Sequence, residues 1–103
     1  MSIVNDVCLT MDSIVSAARE QVSSELAGEI VILNLNAGVY HGLEGTGARV
    51  WQLIQQPRKV GEIRDLLVEE YDVEADRCER DLLELLEDLA HHGLLEIDAR
   101  QAA

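Results

Sequence analysis

His41, His91 and His92, with Cys8 and Cys78, are the residues of this chain whose chemistry best suits a metal site or a nucleophile. Adjacent residues on a helix project about 100° apart, so His91 and His92 cannot readily chelate one ion together. The two cysteines form neither a C-x-x-C pair nor a knuckle spacing, and read as reduced thiols. No metal and no cofactor are expected; the histidines read as solvated polar residues at a strand and a helix end, His92 gaining from the negative end of its helix. Twenty acidic residues offer many carboxylate pairs. Asp81, Glu84 and Asp88, however, share a polar helix face, and no serine or cysteine has a histidine and an acid at a recognisable motif spacing. No catalytic residues are expected, and the chain reads as a binding protein rather than an enzyme.

The glycines invite a different chemistry. Gly42, Gly45 and Gly47 are spaced G-x-x-G-x-G, the reverse of a dinucleotide fingerprint, and no Lys-Ser or Lys-Thr follows as in a phosphate loop. They read instead as residues that make turns and allow close helix packing.

Eight basic against twenty acidic residues leave a formal charge of -12. Such a surface repels phosphate backbones and favours basic partners, so nucleic acid is disfavoured. With 103 residues the chain is expected to hold one modest core, burying roughly two thirds of the surface an unfolded chain exposes. The stretch MSIVNDVCLTMDS lacks a basic region followed by a long apolar one, and no run approaches the ~18 apolar residues of a membrane span. A cytoplasmic protein without membrane contact is the expectation. Only Tyr40, Trp51 and Tyr71 are aromatic, so Leu, Ile and Val must fill the core.

These residues need elements to hold them. Residues 1–20 alternate weakly and are expected to form an N-terminal arm or a short strand around Val15-Ser16-Ala17-Ala18. Gln21–Leu26 and Glu29–Leu35 read as paired strands about Ala27-Gly28, and a turn over Asn34–Gly38 leads to a third strand, Val39–Leu43. Thr46 is expected to cap a helix ending near Gln55, with Pro57 beyond it. Val60–Tyr71 gives a second helix. A third runs from Ala75 or Asp76 to His92, closed by Gly93. Leu94–Ile97 adds a short terminal segment, and Asp98–Ala103 a frayed tail. Strands followed by helices make an α+β domain of winged-helix type, a three-stranded antiparallel sheet followed by three helices, over residues 21–97.

Two features suggest a binding edge. Val39-Tyr40-His41-Gly42-Leu43 carries neither the charge nor the proline with which edge strands are usually protected. On the third helix the apolar arc from Leu85 through Cys78, Leu89, Leu82, Leu86 and Ala90 to Leu83 spans about 160°, wider than the ~100° that packing on one side requires. If strand and helix lie side by side, an extended peptide could pair with the strand and place alternate side chains in the groove between them.

In G-V-Y-H-G-L, G-A-R-V-W, the E-I-x-x-L-L-x-x-x-Y-x-V segment and D-L-L-x-L-L-x-x-L-x-x-x-G-L-L, the chain resembles the PqqD-like proteins over about Gln21 to Ile97. These are the leader-peptide recognition elements of ribosomal peptide natural-product pathways. Among them it is most similar to the free-standing form of lasso-peptide biosynthesis. The resemblance implies a non-catalytic winged-helix-like domain that binds a precursor's leader as an added strand on the third strand, against the third helix. It also implies delivery of that precursor to a leader protease of transglutaminase-like fold and to the lasso cyclase. Carried onto this chain, the peptide-binding positions are Val39, Tyr40, His41, Gly42 and Leu43 on the strand, and Cys78, Asp81, Leu82 and Leu85 on the helix. Two alternatives stand beside it. A winged-helix DNA-binding regulator would need a basic third helix, yet Asp76–His92 sets two arginines against six acids. A self-pairing module would use the same strand edge to form a homodimer.

Overall fold

The computed structural model describes residues 9–19 and 21–97. In chain order it contains β1 (Ile14–Ala17), β2 (Gln21–Leu26), β3 (Glu29–Asn34), β4 (Val39–Glu44), α1 (Thr46–Leu53), β5 (Arg58–Lys59), α2 (Val60–Tyr71), α3 (Ala75–His91) and β6 (Leu95–Ile97). The architecture is α+β and winged-helix-like: an antiparallel meander in the order β2-β3-β4 precedes the three helices, and a second small sheet is ordered β5-β1-β6.

The meander turns where the chain accepts positive φ. Ala27 and Gly28, at φ 54° and 87°, join β2 to β3 in the mirror-image hairpin geometry that matches strand twist. At the other end the Asn34 carboxamide does the work of a turn template. Its Oδ1 accepts the Asn36 and Ala37 N–H groups at 2.9 and 3.1 Å, while its Nδ2 donates to the His92 carbonyl at 2.6 Å. One buried side chain thus shapes the β3–β4 turn and ties it to the end of α3.

Alternation sets the two faces of the sheet. Ile30 and Ile32 point inward to a core with Val50, Trp51 and Ile54 of the α1 region, Val60, Ile63 and Leu67 of α2, and Cys78, Leu82, Leu86 and Leu89 of α3. These helical positions recur three or four residues apart, the period that collects side chains on one face. Gly93, at φ 73°, ends α3 and brings Leu94 back into the core.

The segment expected as an arm or short strand contains β1, and β1 is structural. Val15 is fully buried, and β1 pairs with β5 on one side and β6 on the other. Just before it, the Ser13 and Met11 carbonyls accept the Val60 and Gly61 N–H groups, both at 2.9 Å. Two of the four N–H groups that a helix leaves unpaired at its start are thereby satisfied.

Most boundaries fall within one residue of expectation, and α1 differs most. Thr46 is the first residue of α1 rather than its cap; Gly45 holds the cap position at φ 60° and ψ -131°, a backbone region nearly closed to side chains with a Cβ. Helix α1 also ends at Leu53, short of Gln55. The two-residue strand β5 had no readable signal in the sequence. The expected tail 98–103, like Cys8, lies outside the described residues.

Candidate functional site

A groove of about 780 Å³ opens between the start of α1, the end of α2 and the first half of α3. Thr46, Gly47 and Val50 form one wall, Leu67, Tyr71 and the linker Asp72-Val73-Glu74 another, and Arg77, Cys78, Asp81, Leu82 and Leu85 the third. All four helix positions named from the sequence therefore share one cavity. They contribute unequally: Cys78 and Leu82 are buried at its floor, Leu85 is half-buried, and Asp81 is exposed at its rim. Burial raises the Cys78 thiol above its ordinary value, with Arg64 opposing more weakly. The thiol is accordingly protonated near neutral pH and serves as apolar wall rather than nucleophile.

The walls are braced by charge. Arg49 of α1 grips Glu70 of α2 through Nε and Nη2 at 2.9 and 2.8 Å, and Arg64 of α2 pairs with Glu79 of α3. The hydrogen bonds from Arg49 lower the Glu70 carboxyl below its ordinary range.

The strand positions lie beside this groove rather than in it. β4 is an edge strand, pairing among the described residues only with β3. Alternation puts His41 and Leu43 on the side of α3, both half-buried, and Tyr40 and Gly42 on the outer face, both exposed. His41 approaches Asp88 at 3.4 Å. One turn back along α3, Leu43 and Leu85 both reach the space next to Gly47: a Cβ built there would lie 3.5 Å from one Leu43 methyl and 4.0 Å from one of Leu85. The inward side chains of β4 thus approach α3 at His41 and Leu43, and Leu43 lies beside Gly47 in the groove wall. Gly42 stands midway along β4, and a Cβ at Gly42 would meet nothing within 4 Å. Among the described residues, no packing demands a glycine at that point.

No pattern in the sequence announced the wall made by Tyr71, Val73 and Arg77, although Tyr71 and Val73 are apolar residues left more than 40% exposed around a helix end. Nor did the sequence pair His41 with His92. The two rings lie 4.4 Å apart, centroid to centroid, and with Asp88 they bring three ligand atoms within 4.8 Å of one another. The 100° argument against His91 and His92 acting together is untouched, because the second histidine arrives from β4.

The family model for coenzyme PQQ synthesis protein D (PqqD) matches residues 29–95. Among solved structures, TbiB1 in complex with the TbiA(beta) leader peptide is 37% identical, with a TM-score of 0.75 over 79% of this chain and 94% of that one. A lasso peptide synthetase B1 complexed with the leader peptide is 24% identical and shares the fold, with a TM-score of 0.72 over 80% of this chain and 96% of that one. Among curated proteins, none matches the chain significantly. Within the described residues, no helix is long and apolar enough to cross a membrane.

Proposed function

This chain belongs to the PqqD family, and from that premise we propose that it binds the leader of a ribosomally made lasso-peptide precursor by strand addition to β4. The observation that carries the reading is the unpaired edge of β4 with Leu43 beside Gly47, in the wall of the groove floored by Cys78 and Leu82. A leader strand laid on β4 hydrogen-bonds through its backbone, and the side chains it turns toward α3 meet Leu85 and Asp81. Gly42 leaves the edge bare where another backbone comes close.

Magnitudes require both contacts. Ordering a disordered leader costs about 2 to 5 kcal/mol, whereas a micromolar complex needs about -8 kcal/mol. Strand hydrogen bonds add only about 0.5 to 1.5 kcal/mol each. One aromatic side chain buried over roughly 200 Å² contributes about 5 kcal/mol, enough to offset the ordering. The groove is the part of the site able to supply that burial. On this reading the chain binds rather than catalyses. It holds the precursor for a leader protease of transglutaminase-like fold and for the lasso cyclase.

The test is fluorescence anisotropy with a labelled leader from the precursor encoded beside this gene, and a scrambled peptide as control. Saturable binding of the leader alone, at micromolar affinity or better, is expected. Equal binding of the scrambled peptide, or none at tens of micromolar, would overturn the reading. The same edge could instead receive a second copy of the chain, which sedimentation at several concentrations detects as a dimer that leader disperses.

A further inference from the structure

We propose that His41, Asp88 and His92 form a binding site for a divalent transition-metal ion of the zinc class, clamping β4 to the C-terminal end of α3. One comes from the sheet and two from the same helix end. His41 lies in β4, Asp88 in the last turn of α3, and His92 at its C-cap.

Their separations suit an ion. Zinc bonds to imidazole nitrogen and carboxylate oxygen are about 2.0 to 2.2 Å, which places tetrahedral ligands about 3.4 Å apart. His41 Nε2 lies 3.4 Å from Asp88 Oδ2. All three residues offer ligand atoms within 4.8 Å of one another. The His92 ring is also oriented. Its Nδ1 donates to the Asp88 carbonyl at 2.8 Å, which leaves Nε2 with its lone pair, the arrangement by which ligating histidines are commonly held through their second nitrogen.

The surroundings favour a cation and leave it room. A cleft of about 200 Å³ adjoins the cluster, lined in part by Asn34, Val39, His41 and His92. The Asn34 bond to the His92 carbonyl fixes the strand turn against the helix end. The chain's charge of -12 draws cations toward it. Two imidazoles with one carboxylate select zinc, nickel or copper over magnesium or calcium. Three protein ligands leave a position for water.

The site shares His41 with the strand proposed to receive the leader, and it is tested without a leader so that the two readings fail separately. Tag-free protein is titrated with Zn²⁺ by calorimetry, with heteronuclear NMR of the histidine rings. One saturable site is expected, with the His41 and His92 ring nitrogens shifting together. His41→Ala and Asp88→Ala should each weaken it by at least about tenfold, while His91→Ala should leave it unchanged. Circular dichroism checks that the variants fold; all three side chains are at least partly exposed, so little of the core depends on them. No saturable binding below about 1 mM, or equal binding by His41→Ala and Asp88→Ala, would overturn the proposal, the latter because other groups would then hold the ion.

Discussion

The meander has two outer edges, β2 and β4, and only one of them has a wall. From Val22 to Leu26 every residue of β2 is exposed, including Val22 at 55% and Leu26 at 68%. In β4, His41 and Leu43 are half-buried, His41 beside Asp88 of α3 and Leu43 beside Gly47 of α1. Both edges offer unpaired backbone groups, so hydrogen bonding alone cannot distinguish them. A peptide on β2 would gain strand bonds and little else. On β4 it would also bury side chains, and that difference is why the proposed site is placed on β4.

The sharpest way to break this comparison is to put proline on each edge. Gly42→Pro in β4 is expected to weaken leader binding about 100-fold, near 2.7 kcal/mol, and Ser24→Pro in β2 by no more than a few-fold; anisotropy reads both once circular dichroism has shown that they fold. The reverse pattern would move the site to β2. Next in size, Leu85→Asp places a charge at the groove and should cost about 2 kcal/mol of affinity, whereas Leu26→Asp on the other edge stays within about 0.5 kcal/mol. A smaller effect belongs to charge at the rim. Stopped-flow association of a basic leader should slow a few-fold in Asp81→Lys and far less in Glu25→Lys, and the gap should narrow as salt shortens the screening length.

The smallest expected effect concerns the brace behind the wall. Because the folded-state Glu70 carboxyl is held below its ordinary value by Arg49, its contribution is present above the ordinary carboxylate range and is lost as pH falls through the lowered value. Glu70→Gln should therefore lower the melting temperature slightly at pH 7. It should also flatten the acid limb of a melting-temperature profile below about pH 4. An unchanged acid limb would show that the Arg49–Glu70 pair does not brace the groove.

What could be read from the sequence was local. The α2 stripe of Val60, Ile63 and Leu67 predicts its helix from Val60 to Tyr71 with no error at either end, since a repeated apolar period is contained in the segment itself. The helix side of the groove was legible for the same reason, through Cys78, Leu82 and Leu85. What escaped depends on partners distant in the chain. β1 pairs with β6 roughly eighty residues later, and Arg58-Lys59 is a strand only because Ile14 and Val15 lie opposite. His41 meets Asp88 across 47 positions. Composition and spacing describe a segment, and these contacts are properties of the closed fold.

The carbonyls of Met11 and Ser13 that receive the first N–H groups of α2 bear on where the protein can be cut. The family signature begins at residue 29, but the cooperative unit begins well before it. A fragment trimmed to the signature would present α2 with two bare donors and leave an empty slot where Val15 had packed. Recognition motif and folding unit are different lengths of the same chain, and grafting this domain onto an enzyme would have to carry the longer one.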